Sequence, residues 1–160
     1  MTRESNLPDA VPSASPAELE AALARLPHGA EFRFVDRLLE LKGGQRGAGE
    51  FTLRGDEVYL RGHFPGAPLM PGVLLIEAGA QLAGVVAQSD PAQAPLHGLK
   101  LAGVRQARLK GSICPGQTVR IEAEIQARMA GLVQARVRAT AGVTLLMEAE
   151  ITLGGSPVAL

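Results

Sequence analysis

The chain has 160 residues, enough for one domain with a sizeable core. Its 16 Lys and Arg balance 16 Asp and Glu, so no excess of positive charge points to nucleic acid, and four Phe, one Tyr and no Trp leave no aromatic platform for stacking bases. The single cysteine, Cys114, excludes an intrachain disulfide and suits a reducing, cytoplasmic setting.

Residues 1–14 are rich in Pro, Ser and Ala and read as a flexible tail without the apolar centre of a secretory signal; residues 15–160 read as one domain. In "SPAELEAALARL", Ser15 is the expected N-cap, Pro16 the first helical residue and Glu18 the third member of a capping box. Leu19, Leu23 and Leu26 share a face, and Pro27 is the expected stop. "FRFVDRLLEL" (32–41) and "RGAGEFTLRG" (46–55) read as two strands joined by a turn at Gly43–Gly44.

A long helix is expected from Pro71 to about Gln88. It is apolar on nearly every side and therefore has to be surrounded. Glu77 and Gln81 interrupt its apolar run from Val73 to Val86, which argues against a membrane span. "LKLAGVRQARL" (99–109) reads as a strand and "CPGQ" as the turn after it. Strict alternation follows in three segments: Val119 to Ala127, Val133 to Ala139, and Leu145 to Ile151, with Leu146, Glu148, Glu150 and Thr152 on the opposite face of the last. Period two over three segments means an antiparallel sheet with one dry and one wet face, and "ARMAG" and "TAGVT" are short enough to be hairpin turns. The sum is an α+β fold in which a curved antiparallel sheet wraps one long helix.

The chemistry concentrates in "GHFPGAPLMPGVLLIEAGAQ", residues 62–81. His63 lies in a stiff turn with Gly62, Pro65, Gly66 and Pro68. Pro71 and Gly72 open the helix, whose first amides have no intrahelical partner and suit a carbonyl oxygen gaining negative charge. Gly72 lets a ligand approach its backbone closely. Glu77 sits among apolar neighbours; such a carboxyl seeks a partner or holds its proton, and one that holds it is a donor. Gln81, four residues on, shares its face. A base, an acid and an oxyanion pocket are the parts of an elimination, one reading among several that spacing leaves open.

The 62–81 block, together with "LPHGAEFRFVDRLLEL" and "LAGVRQARLKGSICPGQTVRIEAEI", closely resembles the 3-hydroxyacyl-[acyl-carrier-protein] dehydratases of the FabZ type, over about residues 17 to 153. The resemblance implies a hot-dog fold and conversion of a (3R)-3-hydroxyacyl thioester to the trans-2-enoyl product in fatty-acid or related lipid synthesis, without metal or cofactor. It implies that His63 is the base and Glu77 the acid. It also implies that Gly72 binds the thioester carbonyl, that the Leu69 carbonyl orients His63, and that Phe64 and Gln81 line the substrate. The partners it implies are an acyl carrier protein bearing a phosphopantetheine-linked substrate and a second copy of the chain. In such a homodimer, extended in some relatives to a trimer of dimers, the histidine of one subunit faces the acid of the other.

The chain departs from the family pattern at Gly29–Ala30–Glu31, at Leu99 where an aromatic is frequent, at Arg105 where an acid is frequent, and at Gly79 where a larger residue is frequent. These positions bear on tunnel length, gating and carrier docking, and spare the catalytic pair. His28 is expected to be structural, near the tunnel or the subunit contact, His97 a loop residue and Cys114 half-buried. Arg105, Arg108 and Lys110 read either as a docking patch or as a solvated strand face, and Arg120, Arg136 and Arg138 as the wet face of the sheet. Rival readings are an acyl thioesterase, a dehydratase/isomerase with Asp in place of Glu77, and a non-catalytic acyl-thioester-binding module lacking the pair.

Overall fold

A computed structural model describes residues 14–157, so all but one residue of the expected tail lie outside it. Helix α1 (Pro16–Leu23) starts on the capping box: Ser15 Oγ accepts the Glu18 amide, and the Ser15 amide donates to the Glu18 carboxylate at 2.7 Å. It ends a turn before Pro27. The Arg25 and Leu26 amides bond back three residues, to Ala22 and Leu23, because a residue preceding proline disfavours the α conformation. Leu26 is buried nonetheless.

Six strands form one antiparallel sheet in the order β1-β2-β4-β5-β6-β3. They are β1 (Arg37–Lys42), β2 (Arg46–Thr52), β3 (Leu96–Leu109), β4 (Thr118–Met129), β5 (Leu132–Ala141) and β6 (Thr144–Pro157). Helix α2 (Gly72–Gln88) crosses the concave face, and its Leu75, Ala78, Leu82, Ala83 and Val86 are fully buried against Val119, Ile121, Val133 and Val137. Each such leucine contributes about 1.5–3 kcal/mol by leaving water. This is the hot-dog architecture. Among the described residues no helix is long and apolar enough to cross a membrane.

Gly79 is a packing residue: a Cβ there would stand 2.8 Å from Val137 Cβ, so its missing side chain seats the helix on the sheet and does not widen a tunnel. Gly47 makes the same kind of close approach to Val86 from β2.

Three expectations along the strands are corrected. Strand β1 begins at Arg37, not at residue 32. Residues Ala30–Phe32 form a 3-10 turn, and the Phe34 amide bonds the Gln81 side chain instead of a neighbouring strand. In β4 a register shift between Ile125 and Ala127 reverses the faces: Ala127 is exposed, and the Arg128 guanidinium donates to the Ala87 carbonyl in the last turn of the helix and to the Ala94 carbonyl beyond it. In β6 the pairing shifts between Ala139 and Thr140, and Leu146 is buried while Leu145 is only half-buried. The expected wet face is otherwise present: Arg120, Arg136 and Arg138 are exposed on the outer side.

Strand β3 is an edge strand of 14 residues, with Leu101, Val104 and Leu109 exposed. His97 lies in this strand, not in a loop, and the Cys114 thiol is exposed, not half-buried.

Candidate active site

The segment before α2 is built to hold His63. Its first support is Glu57, whose two carboxylate oxygens accept the Arg54 amide at 2.8 Å and the Gly55 amide at 2.7 Å. Burial pushes the Glu57 carboxyl up, but these amides together outweigh it and hold the group below its usual range. A 3-10 helix, Val58–Gly62, follows; Leu60 anchors it in the core and accepts the His63 amide.

A closed loop begins at His63. The Leu69 amide donates to the His63 carbonyl at 3.1 Å, and His63 Nδ1 lies 3.0 Å from the Leu69 carbonyl oxygen. Inside it Phe64 and Ala67 exchange both backbone bonds, and Gly66 takes a φ of 79°, which favours glycine. A carbonyl can only accept, so Nδ1 carries the hydrogen, and Nε2 of the neutral ring keeps a free lone pair. The half-exposed Phe64 ring stacks on the imidazole, with centroids 4.2 Å apart. The Met70 amide bonds the Ile113 carbonyl and ties the loop's end to the sheet.

Pro71 is the N-cap of α2 and Gly72 its first residue, one position later than the sequence suggests. The Gly72 amide therefore has no carbonyl four residues back within the helix. Its Cα side is not open: the end of Leu109 fills the space a Cβ would occupy, 2.8 Å away.

Glu77 lies two turns into the helix and is half-buried, its side chain 22% exposed, where sequence alone suggested a dry site. It lines a cavity of about 430 Å³ between α2, the end of α1 and the first part of β3. Along one helical stripe, Glu77, Gln81, Gly84 and Gln88 form one wall, and Leu96, Leu99 and Leu101 stand on β3. Glu77, His28 and Gln81 supply polar groups at one end, Gln88, Ser89 and His97 also line it, and Leu26, Val85, Leu96, Leu99, Leu101 and Leu153 give an aliphatic part.

Gln81 is 2% exposed and fully engaged. Its Oε1 accepts the Phe34 amide at 2.9 Å; its Nε2 donates to the Phe32 carbonyl at 2.8 Å and to Glu77 Oε1 at 3.1 Å. The expected Glu77–Gln81 contact is therefore present, and Gln81 also ties residues 32–34 to the helix.

His63 does not line this cavity and makes no hydrogen bond to Glu77. The imidazole beside the acid is that of His28, whose Nε2 is 3.3 Å from Glu77 Oε1. Sequence reasoning missed this pairing. The residues are 49 positions apart in different elements, and no periodicity links them.

Arg108 and Lys110, at the end of β3 and just beyond it, both reach Glu148, at 3.5 and 2.9 Å. Lys110 foremost, then Arg108, hold its carboxyl below the ordinary range. The patch is thus partly neutralised, and Arg105 is exposed opposite Glu150.

The FabA-like domain family matches residues 26–150. A 3-hydroxyacyl-[acyl-carrier-protein] dehydratase FabZ of Chloroflexus aggregans is 41% identical over 133 residues, covering 83% of this chain and 92% of the relative. One of Desulforamulus reducens is 40% identical, covering 84% and 94%. Among solved structures, the dehydratase heterocomplex ApeI:P of Xenorhabdus doucetiae superposes with a TM-score of 0.69 at 18% identity, over 85% of this chain and 91% of the other, which bears on the fold alone.

Proposed function

The chain belongs to the FabZ-type 3-hydroxyacyl-[acyl-carrier-protein] dehydratase family, and from that premise we propose a two-residue elimination carried by His63 and Glu77. The reaction is dehydration of a 3-hydroxyacyl thioester in fatty-acid synthesis. His63 Nε2 takes a proton from C2, and the electron pair of that bond forms the C2–C3 double bond. The C3–O bond breaks as Glu77 gives its proton to the departing hydroxyl, and water leaves. The Gly72 amide, at the positive end of α2, holds the thioester oxygen as charge builds on it. Phe64 packs beside the base, and Gln81 holds the acid.

The observation that carries this reading is the His63–Leu69 contact at 3.0 Å, which directs a bare imidazole nitrogen away from the loop. The acid comes from a second copy of the chain. One protomer's cavity offers Glu77 without His63, and β3 presents a long unpaired edge with exposed apolar side chains on which another β3 can pair. A homodimer is the smallest working unit, and a trimer of dimers is open to it. The acyl chain lies in the aliphatic part of the cavity, and of Arg105, Arg108 and Lys110 only Arg105 forms no ion pair among the described residues, which suits it to meet an acidic carrier protein. A carrier-bound substrate and a lone exposed thiol accord with the cytoplasm.

The test follows enoyl absorbance with a 3-hydroxybutanoyl or longer thioester. The native chain should form enoyl product, and His63→Ala should lose about 10²–10⁴-fold in turnover. Release of free thiol in place of enoyl product would instead select the thioesterase reading.

A further inference from the structure

Within one protomer His28 is the one imidazole within reach of the acid, and nothing in the reaction as described uses it. Its side chain is 30% exposed and its ring stacks on Phe32. Its Nε2 is 3.3 Å from Glu77 Oε1, while its Nδ1 is buried without a hydrogen-bond partner. Buried N–H groups are orphaned more rarely than buried acceptors, so the hydrogen belongs on Nε2, facing the carboxylate, and the bare lone pair on Nδ1. Gln81 Nε2 donates to the same oxygen at 3.1 Å, and it can only donate.

Gln81 Nε2 thus donates to Oε1, the His28 ring stands within ion-pair reach of the same oxygen, and none of the contacts described reaches Oε2. The ring is carried on a segment that is itself tied down: Arg33 donates to the His28 carbonyl, and Gln81 grips the Phe32 carbonyl and the Phe34 amide. The clamp thus joins α2 to residues 28–34 through two side chains.

We infer that His28 is a positioning residue which, with Gln81, pins Glu77 Oε1 and leaves Oε2 as the oxygen that carries the proton to the leaving hydroxyl. This rests on the reading of Glu77 as the acid. The 3.3 Å separation is long for a hydrogen bond, and contacts of this kind tighten once substrate is bound. A carboxyl free to rotate would present either oxygen and spend part of its time misaligned, a loss felt in turnover and not in binding.

The test compares three variants at His28 for turnover, KM and thermal stability. His28→Ala should lower kcat about 10–100-fold with KM changed less than about twofold. His28→Gln should recover to within about threefold of the native chain, because its amide nitrogen extends to where Nε2 stands; His28→Asn, one bond shorter, should stay low at the same Tm. In a Glu77→Gln background, His28→Ala should cost less than about twofold more, since the group it positions is already gone. The inference is overturned if His28→Ala turns over like the native chain, or if the Gln and Asn variants are equally impaired. Glu77→Gln with native turnover would instead overturn the acid reading on which this rests.

Discussion

The His63 loop and the Glu77 wall hold their functional groups by different means. His63 is fixed by its own segment: a seven-residue closure with two prolines, one positive-φ glycine and a carbonyl acceptor that the loop itself supplies. Glu77 is held by a neighbour one turn along its own helix and by a histidine brought to it from another element. His63 is thus held mainly by contacts within its own segment, which the buried Leu60 and the Met70–Ile113 bond tie to the rest of the fold. The acid is preorganised only once residues 28–34 have docked on α2. Disturbing the docking should cost the acid's alignment and spare the base.

The sharpest way to break this comparison is to separate the two groups between chains. Glu77→Gln is nearly isosteric and should lose about 10²–10⁴-fold in turnover at an unchanged melting temperature. Co-refolded with equal His63→Ala, it should regain about a quarter of native activity, because half the dimers are mixed and each mixed dimer holds one intact site. No recovery would place both groups' work within a single protomer.

A smaller effect separates alignment from stability. Gln81→Leu should cost about 1–3 kcal/mol for each backbone group it orphans, the Phe34 amide and the Phe32 carbonyl, and should lower turnover as well. Urea denaturation and steady-state assays on the same sample read both. Stability lost with turnover intact would mean that Gln81 holds the fold and not the acid.

The smallest effect falls on the His63 side. The folded-state Glu57 carboxyl lies below its ordinary value, so its contribution to stability is complete above the unfolded-state value and fades as pH falls through the folded one. The melting temperatures of the native chain and Glu57→Gln should differ at neutral pH and converge only as pH falls below the ordinary glutamate range, through the lowered folded-state value. A gap that stays constant over that range would remove Glu57's charge from the account.

Much of this protein is legible in one dimension because its signals are local. A capping box needs residues three apart, a hairpin needs a turn between alternating runs, and a helix that is apolar all round declares that it is enclosed. The His63 loop belongs to this class, as does the Glu77–Gln81 pair at one helical turn. What the chain order does not carry is any event in which a single residue slips or a distant group arrives. The shifts at Ile125 and Leu146 each invert a strand's faces without altering its composition. The Phe34 amide leaves the expected strand for Gln81. Gly79 is small because Val137 lies across from it, and His28 meets Glu77 only because the segment after α1 folds back over the helix. Sequence periodicity determined the elements, and motif spacing with the family resemblance singled out the residues proposed to bear the chemistry. Packing decided which side chains those residues touch, because a contact between distant positions has no energy until the chain has already closed around it.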